Sequence, residues 1–241
     1  MKQAILITSL FFSLTAFAED TCQVTSVMAT YQIETVTKSN HSTDKNELIL
    51  LRHGKSVFHI NDNKIATQWT KLPNAHMKKT SYFIDDKRAI EYEATKNNLD
   101  NVWQYHAQLL HPRFQSQLKL VETVGSGCEK LEHYQQTTDS KNIDVWWYPE
   151  KKIAKSIQHV YPDTTINWQL THFVNSKTKV QQKLDILMAY HATDFADIGD
   201  NEADPFFRKM INLGFIDHHA SGFYDSQGNA ISGNDHSSHQ H

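Results

Sequence analysis

The sequence predicts an α+β fold: a strongly curved antiparallel β-meander sheet, half-barrel-like in shape, with two or three helices packed against it. Two long stretches alternate apolar and polar residues with the period of two that strands produce, and turn residues divide them into short segments. Three shorter stretches have helical spacing instead. Strands and helices do not alternate along the chain, as they would in a parallel sheet.

The N-terminus has the features of an export signal. Lys2 precedes an uncharged run over residues 4–18, which ends in Ala-Phe-Ala and is followed by two acidic residues. The run is shorter than the roughly 20 residues that a membrane-spanning helix needs. We therefore expect residues 1–18 to be a signal peptide cleaved after Ala18, and the mature chain to be periplasmic or secreted, without a transmembrane segment.

The chain has two cysteines, Cys22 and Cys128. Exported proteins meet an oxidising environment, in which paired cysteines form lasting disulfides. We expect these two to pair, which would tie the N-terminal segment to the middle of the fold and stabilise it by a few kcal/mol. A thiolate metal ligand or nucleophile is the alternative.

The first alternating stretch predicts successive hairpins. The expected strands cover residues 31–37, 47–51, 56–60, 65–69, 80–84 and 89–93. Between Leu99 and Leu110 the apolar spacing becomes helical, and His111 followed by Pro112 is expected to end this helix.

The second alternating stretch adds more hairpins. The expected strands cover residues 130–137, 143–148, 153–161 and 165–174. Trp147 and Trp168 each lie on the apolar face of their strand, so we expect them to form an aromatic wall. In architecture alone, the predicted sheet resembles the half-barrel carriers of the bacterial periplasm that ferry lipoproteins or lipids. That resemblance implies an apolar ligand against this wall.

Two more helices are predicted near the C-terminus. Ser176 is expected to cap the first of them. Its apolar stripe would consist of Val180, Leu184, Leu187, Met188 and His191. Asp204 would cap the last helix and Gly214 would end it. We expect one domain over residues 19–227 and a flexible, histidine-bearing tail over residues 228–241.

Between these two helices lies an acidic loop that is a candidate cation site. Its carboxylates are hard oxygen ligands of the kind that Ca²⁺ prefers, at Asp194, Asp197, Asp200 and Glu202. The spacing does not match an EF-hand loop. The alternative is a solvated loop that caps the following helix, because acidic side chains stabilise the positive end of a helix.

Histidine is unusually frequent, at 15 residues. Imidazole is the commonest metal ligand in proteins. The C-terminal region concentrates it, at His218, His219, His236, His239 and His241. These residues predict capture of a transition metal such as Cu or Zn, although a flexible tail would bind weakly because nothing orients the rings. A solubilising tail is the alternative.

The segment Arg52-His53-Gly54 resembles the Arg-His-Gly motif of the histidine phosphatase family. That resemblance implies that His53 would be the phosphate-accepting nucleophile and Arg52 a phosphate clamp. The remaining elements of that family have no counterpart here. The alternative is a hairpin turn in which Gly54 supplies a positive φ.

These patterns favour a non-enzymatic periplasmic binding protein. Transition-metal binding through the C-terminal histidines is the first hypothesis, a carrier of an apolar ligand such as a lipid or lipoprotein is the second, and a phosphatase that uses His53 is the third. The net charge of −3 predicts no nucleic-acid partner. The pattern does not indicate an oligomeric state.

Overall fold

The computed structural model describes residue 22, residues 24–96, 99–201 and 203–213, and residue 215. The first half of this part contains β1 (Ser26–Thr37), β2 (Ser42–His53), β3 (Ser56–Asn61), β4 (Ile65–Lys71), β5 (His76–Phe83), β6 (Arg88–Glu91) and β7 (Thr95–Lys96). Helices α1 (Leu99–Gln108) and α2 (Pro112–Gln115) follow. The second half contains β8 (Lys119–Val124), β9 (Leu131–Thr137), β10 (Asn142–Tyr148), β11 (Ile153–Val160), β12 (Thr164–Val174), α3 (Lys177–Met188), β13 (His191–Asp194) and α4 (Pro205–Asn212).

All thirteen strands of the described residues belong to one sheet. Its order is β13-β6-β5-β4-β3-β2-β1-β12-β11-β10-β9-β8, with β7 paired to β5 beside this path. Each of the two meanders therefore runs through neighbouring strands, and the antiparallel pair β1–β12 joins one meander to the other. The predicted large, curved antiparallel sheet is confirmed, and it is open rather than closed into a barrel.

Two strands of this sheet differ from the sequence expectation. β8 was not predicted, because all six of its residues are exposed and show no alternation of apolar and polar positions. β13 was not predicted either, and it pairs with β6 in parallel at the edge of the sheet. Because α3 ends at Met188, His191 lies in β13 rather than on the apolar stripe of that helix. Met188, which was also predicted on the stripe, is exposed.

The sheet carries helices on both faces. Leu48 and Leu50 of β2 pack in the same buried cluster as Ala107 of α1. Ile49 and Leu51, which point the other way, pack in the cluster that contains the buried side of α3. The run Leu-Ile-Leu-Leu in β2 is therefore continuously apolar because both of its faces are covered. We call these two surfaces the α1 face and the α3 face.

The N-terminal ends of α3 and α4 form as the sequence predicts. The Ser176 hydroxyl accepts a hydrogen bond from the backbone N–H of Lys179. The Asp204 carboxylate accepts one from the backbone N–H of Phe206 at 2.8 Å, and Arg88 donates to the same carboxylate at 3.0 Å. The predicted Gly214 C-cap lies outside the described residues.

The predicted disulfide is present. Cys22 and Cys128 are bonded across a sequence separation of 106 residues, with their Cα atoms 5.1 Å apart. The bond joins the segment before β1 to the turn before β9, so it links the two meanders a second time. Within the described ranges, no helix combines the length and the apolar character needed to cross a membrane.

Candidate functional site

A cleft of about 630 Å³ lies between the α1 face of the sheet and the helices α1 and α2. Most of its surface is apolar or aromatic, from Leu48, Trp69, Leu109, Leu110, Phe114, Ile157 and Trp168. Four imidazoles also line it, from His59, His106, His111 and His159. Asn61 and Tyr105 complete the lining. Its volume falls in the range of about 300–1,000 Å³ that is typical of small-molecule pockets.

Both meanders contribute to this cleft. Trp69 of β4 belongs to the first, and Ile157 of β11 and Trp168 of β12 belong to the second. Ile157 and Trp168 are direct cross-strand partners, so their side chains share one face of the sheet. The pairing of β1 with β12 brings the two groups of residues side by side.

The helical side of the cleft is fixed by contacts with β3 and β4. The His106 ring stacks on Trp69 with centroids 3.8 Å apart. The Nε2–H of His59 donates to the backbone carbonyl of His106 at 2.7 Å. These contacts hold the C-terminal half of α1 against the sheet.

The link between α1 and α2 follows from two local features. Leu109 has a positive φ of 60°, which ends α1 and turns the chain. The His111 side chain accepts a hydrogen bond from the backbone N–H of Arg113, and Pro112 occupies the first position of α2. The His111-Pro112 pair therefore both follows one helix and starts another.

Burial lowers the pKa of three of the imidazoles that line the cleft. Burial, together with the neighbouring His59 and Lys79, lowers the pKa of His106 to about 4. Burial also lowers the pKa of His59 and of His159, although the hydrogen bond of His59 to the carbonyl of His106 opposes the effect. Near neutral pH these three rings carry no charge, so the cleft presents a predominantly apolar surface.

Arg52 connects the helical side of the cleft to the sheet through hydrogen bonds. Its guanidinium donates to the carbonyl oxygens of Ala107 at 3.3 Å, Lys151 at 2.7 Å and Lys152 at 3.1 Å. Burial lowers the pKa of Arg52 to about 10. The side chain thus joins the end of α1 to the turn between β10 and β11.

The structure does not bring Arg52 and His53 together. They are neighbours in β2, so their side chains point to opposite faces of the sheet. His53 Nδ1 lies 2.8 Å from the Ser26 hydroxyl. The chain turns back after His53 through a tight hairpin in which Gly54 has a φ of 56°, as the hairpin alternative predicts.

The two tryptophans of the predicted wall have different surroundings. Trp168 lines the cleft and meets Tyr31 edge-on, with ring centroids 6.4 Å apart. Trp147 belongs to the buried core on the α1 face and is only 3% exposed. Sequence reasoning did not single out Trp69 or His59, because nothing in the first meander indicates which of its aromatic residues face the second.

The acidic loop forms β13 and two short 3₁₀ turns before α4. Asp194 and Asp197 are exposed, whereas Phe195 and Ile198 between them are buried. Among the residues that the structure describes, no three potential ligands cluster as a metal site would require. The side chain of Asp200 and all of Glu202 lie outside that description.

The candidate transition-metal ligands His218, His219, His236, His239 and His241 lie outside the described residues, as do residues 1–18. Metal capture by the C-terminal region and cleavage after Ala18 therefore stay predictions.

Comparison with known proteins finds no matching family model and no matching curated protein. The solved structures that this chain resembles in part include PNGF-II, with a TM-score of 0.39, 12% identity and coverage of 70% of this chain and 31% of that one. MucB in complex with MucA(peri) has a TM-score of 0.32 and 13% identity, with 65% and 53% coverage. A LolA superfamily protein from Nitrosomonas europaea has a TM-score of 0.27 and 8% identity, with 68% and 90% coverage. The chain thus spans about a third of the first of these proteins and about half of the second.

Proposed function

We propose that this protein is an exported, non-enzymatic carrier that binds an apolar ligand, such as an acyl chain, in the cleft between the sheet and helices α1 and α2. The observation that carries the proposal is the cleft itself, about 630 Å³ of mainly apolar and aromatic surface. Each methylene group that leaves water for such a surface contributes about 0.8 kcal/mol.

The neutral imidazoles fit this role. A charged group in the cleft would have to be desolvated when an acyl chain entered, and that desolvation would oppose binding. Because burial lowers the pKa of His59, His106 and His159, the cleft avoids this cost near neutral pH.

The disulfide supports the exported location. Disulfides form and persist in oxidising compartments and are rare in the cytosol, and the Cys22–Cys128 bond is part of this fold. The signal peptide over residues 1–18 belongs to the same proposal.

The structure reverses the order of the two leading hypotheses. The sequence alone favours transition-metal binding, because histidines are concentrated near the C-terminus. The cleft is a specific observation that favours the apolar ligand, whereas those histidines lie outside the described residues.

Binding of the fluorescent apolar probe N-phenyl-1-naphthylamine tests the proposal. The substitution Ile157→Trp adds bulk to the wall of the cleft, and we expect it to weaken probe binding by about tenfold or more, equivalent to about 1.4 kcal/mol. The matched control is Gln158→Trp, because Gln158 is exposed on the opposite face of the same strand and should leave binding unchanged.

Thermal melting of both variants would show that they fold. If folded Ile157→Trp binds the probe as tightly as the wild type does, the probe does not occupy this cleft and the proposal fails.

A further inference from the structure

A second cavity of about 430 Å³ adjoins the cleft, and Asn61 lines both. In contrast to the cleft, its wall carries cationic and hydroxyl side chains, from Lys64, Thr67, Lys79 and Ser81. Ile65, Phe83, Tyr92 and Phe215 are its apolar members, and Asp62 is its acidic one. We call this cavity the polar pocket.

The strand register places the polar pocket beside the cleft on the same face of the sheet. His59 of the cleft pairs with Thr67, and Thr67 pairs with Ser81. Trp69 of the cleft pairs with Lys79. Because directly paired residues share a face, a ligand in the cleft has to cross only one strand spacing to reach the polar pocket.

The polar pocket is lined by two ammonium groups and one carboxylate. The Lys79 Nζ lies 4.5 Å from the centroid of the Tyr92 ring, over its face, and Lys64 is exposed at the rim. The Asp62 carboxylate is turned toward the backbone N–H of Glu47, from which it accepts a hydrogen bond of 2.7 Å. The pocket therefore has a net positive charge.

We infer that the ligand is amphipathic, with its apolar chain in the cleft and an anionic carboxylate or phosphate headgroup in the polar pocket near Lys64 and Lys79. This inference rests on the proposed function, since it identifies the class of ligand for the same cleft. Hydrogen bonds between an ammonium group and a carboxylate or phosphate are about twice as strong as those between neutral groups. A purely hydrocarbon ligand would not use these groups.

Calorimetric titration at pH 7 with a long-chain fatty acid and with the alcohol of the same chain length tests the inference. We expect the acid to bind about tenfold more tightly than the alcohol, a difference of about 1.4 kcal/mol. The double variant Lys64→Gln/Lys79→Gln should lose this difference and keep its affinity for the alcohol. Lys78→Gln is the matched control, because Lys78 precedes Lys79 in β5 but faces the other side of the sheet, where it pairs with Glu91.

These measurements distinguish failure of the headgroup inference from failure of the proposed function. Equal affinity for acid and alcohol would overturn the anionic headgroup and leave the apolar carrier in place, whereas failure of both ligands to bind would overturn the carrier itself. Inorganic phosphate, which has no chain, should not displace the acid. If it does, the polar pocket is a site for a free anion and the amphipathic assignment is wrong.

Discussion

His106 connects the cleft to the helix above it through its ring and its backbone. The ring stacks on Trp69, and the carbonyl accepts the hydrogen bond of His59. The cationic Lys79 also opposes protonation of the ring. Folding therefore favours the neutral form of this imidazole.

The lowered pKa of His106 predicts an acid-dependent loss of stability. Below about pH 6.5 the unfolded chain binds a proton at this ring that the folded chain does not bind until about pH 4. Stability should therefore fall as the pH decreases through this window. His106→Phe keeps an aromatic ring against Trp69 and removes the titration, so its melting temperature should depend less on pH between 7 and 4.5.

His172→Phe provides the matched control for the replacement itself, because His172 is exposed on β12 and does not line the cleft. An equally steep decline in wild type and His106→Phe would show that His106 does not contribute to the acid sensitivity.

Arg52 shows what a short motif can and cannot reveal. Arg-His-Gly resembles a phosphatase motif, but the guanidinium contacts carbonyl oxygens as far as 100 residues away in the chain. Such a contact depends on how β2, α1 and the β10–β11 turn assemble. The sequence predicted the hairpin at Gly54, because a tight turn depends on local geometry. It did not predict the contacts of Arg52, because they depend on distant parts of the chain.

At the scale of single elements, strands that carry buried apolar residues and turn signals at their ends were predictable, and the two strands without these signals were not. Six strands of the first meander and four of the second lie where the sequence predicts them. β8 is exposed along its whole length, and β13 forms through a parallel pairing with a strand about 100 residues earlier. Neither full exposure nor a long-range parallel pairing produces an alternation of apolar and polar residues in the local sequence.

Helix α2 was missed for a similar reason. Pro112 disfavours continuation of α1, so the sequence correctly indicates a boundary there. The same proline is suited to the first position of a new helix, and the His111 cap confirms that role. The cleft depends on this second helix, because Phe114 forms part of its wall.

The disulfide ties the segment before β1 to the turn before β9, and its removal should destabilise the fold. The double variant Cys22→Ser/Cys128→Ser should lose about 2–4 kcal/mol of unfolding free energy in urea, mainly because the unfolded chain is no longer restrained. Wild-type protein treated with a reductant should show the same loss. Unchanged stability in both cases would mean that the covalent link does not restrain the unfolded chain.

At the scale of the whole molecule, the cleft arises from the way the two meanders join. The antiparallel pair β1–β12 places β3 and β4 on one side of the junction and β11 and β12 on the other. Helices α1 and α2, which lie between the meanders in the sequence, cover this junction on one face, and α3 packs on the opposite face.

This arrangement explains why only part of the site could be predicted. Trp168 was expected on an apolar face and does line the cleft, whereas Trp147, on the same grounds, lies in the core. Whether an inward-facing side chain becomes cleft wall or core depends on how closely a helix packs above it, and the spacing within a single strand does not report that distance.

The most direct test of an acyl chain in the cleft uses the tryptophans as reporters. Trp69 and Trp168 line the cleft, and the other three of the five tryptophans do not. A fatty acid brominated near the middle of its chain should quench the tryptophan fluorescence of the wild-type protein. In Trp69→Phe/Trp168→Phe, calorimetry should still show binding while most of the quenching disappears. Quenching of the same fraction of the fluorescence in both proteins would place the acyl chain elsewhere and contradict the proposal.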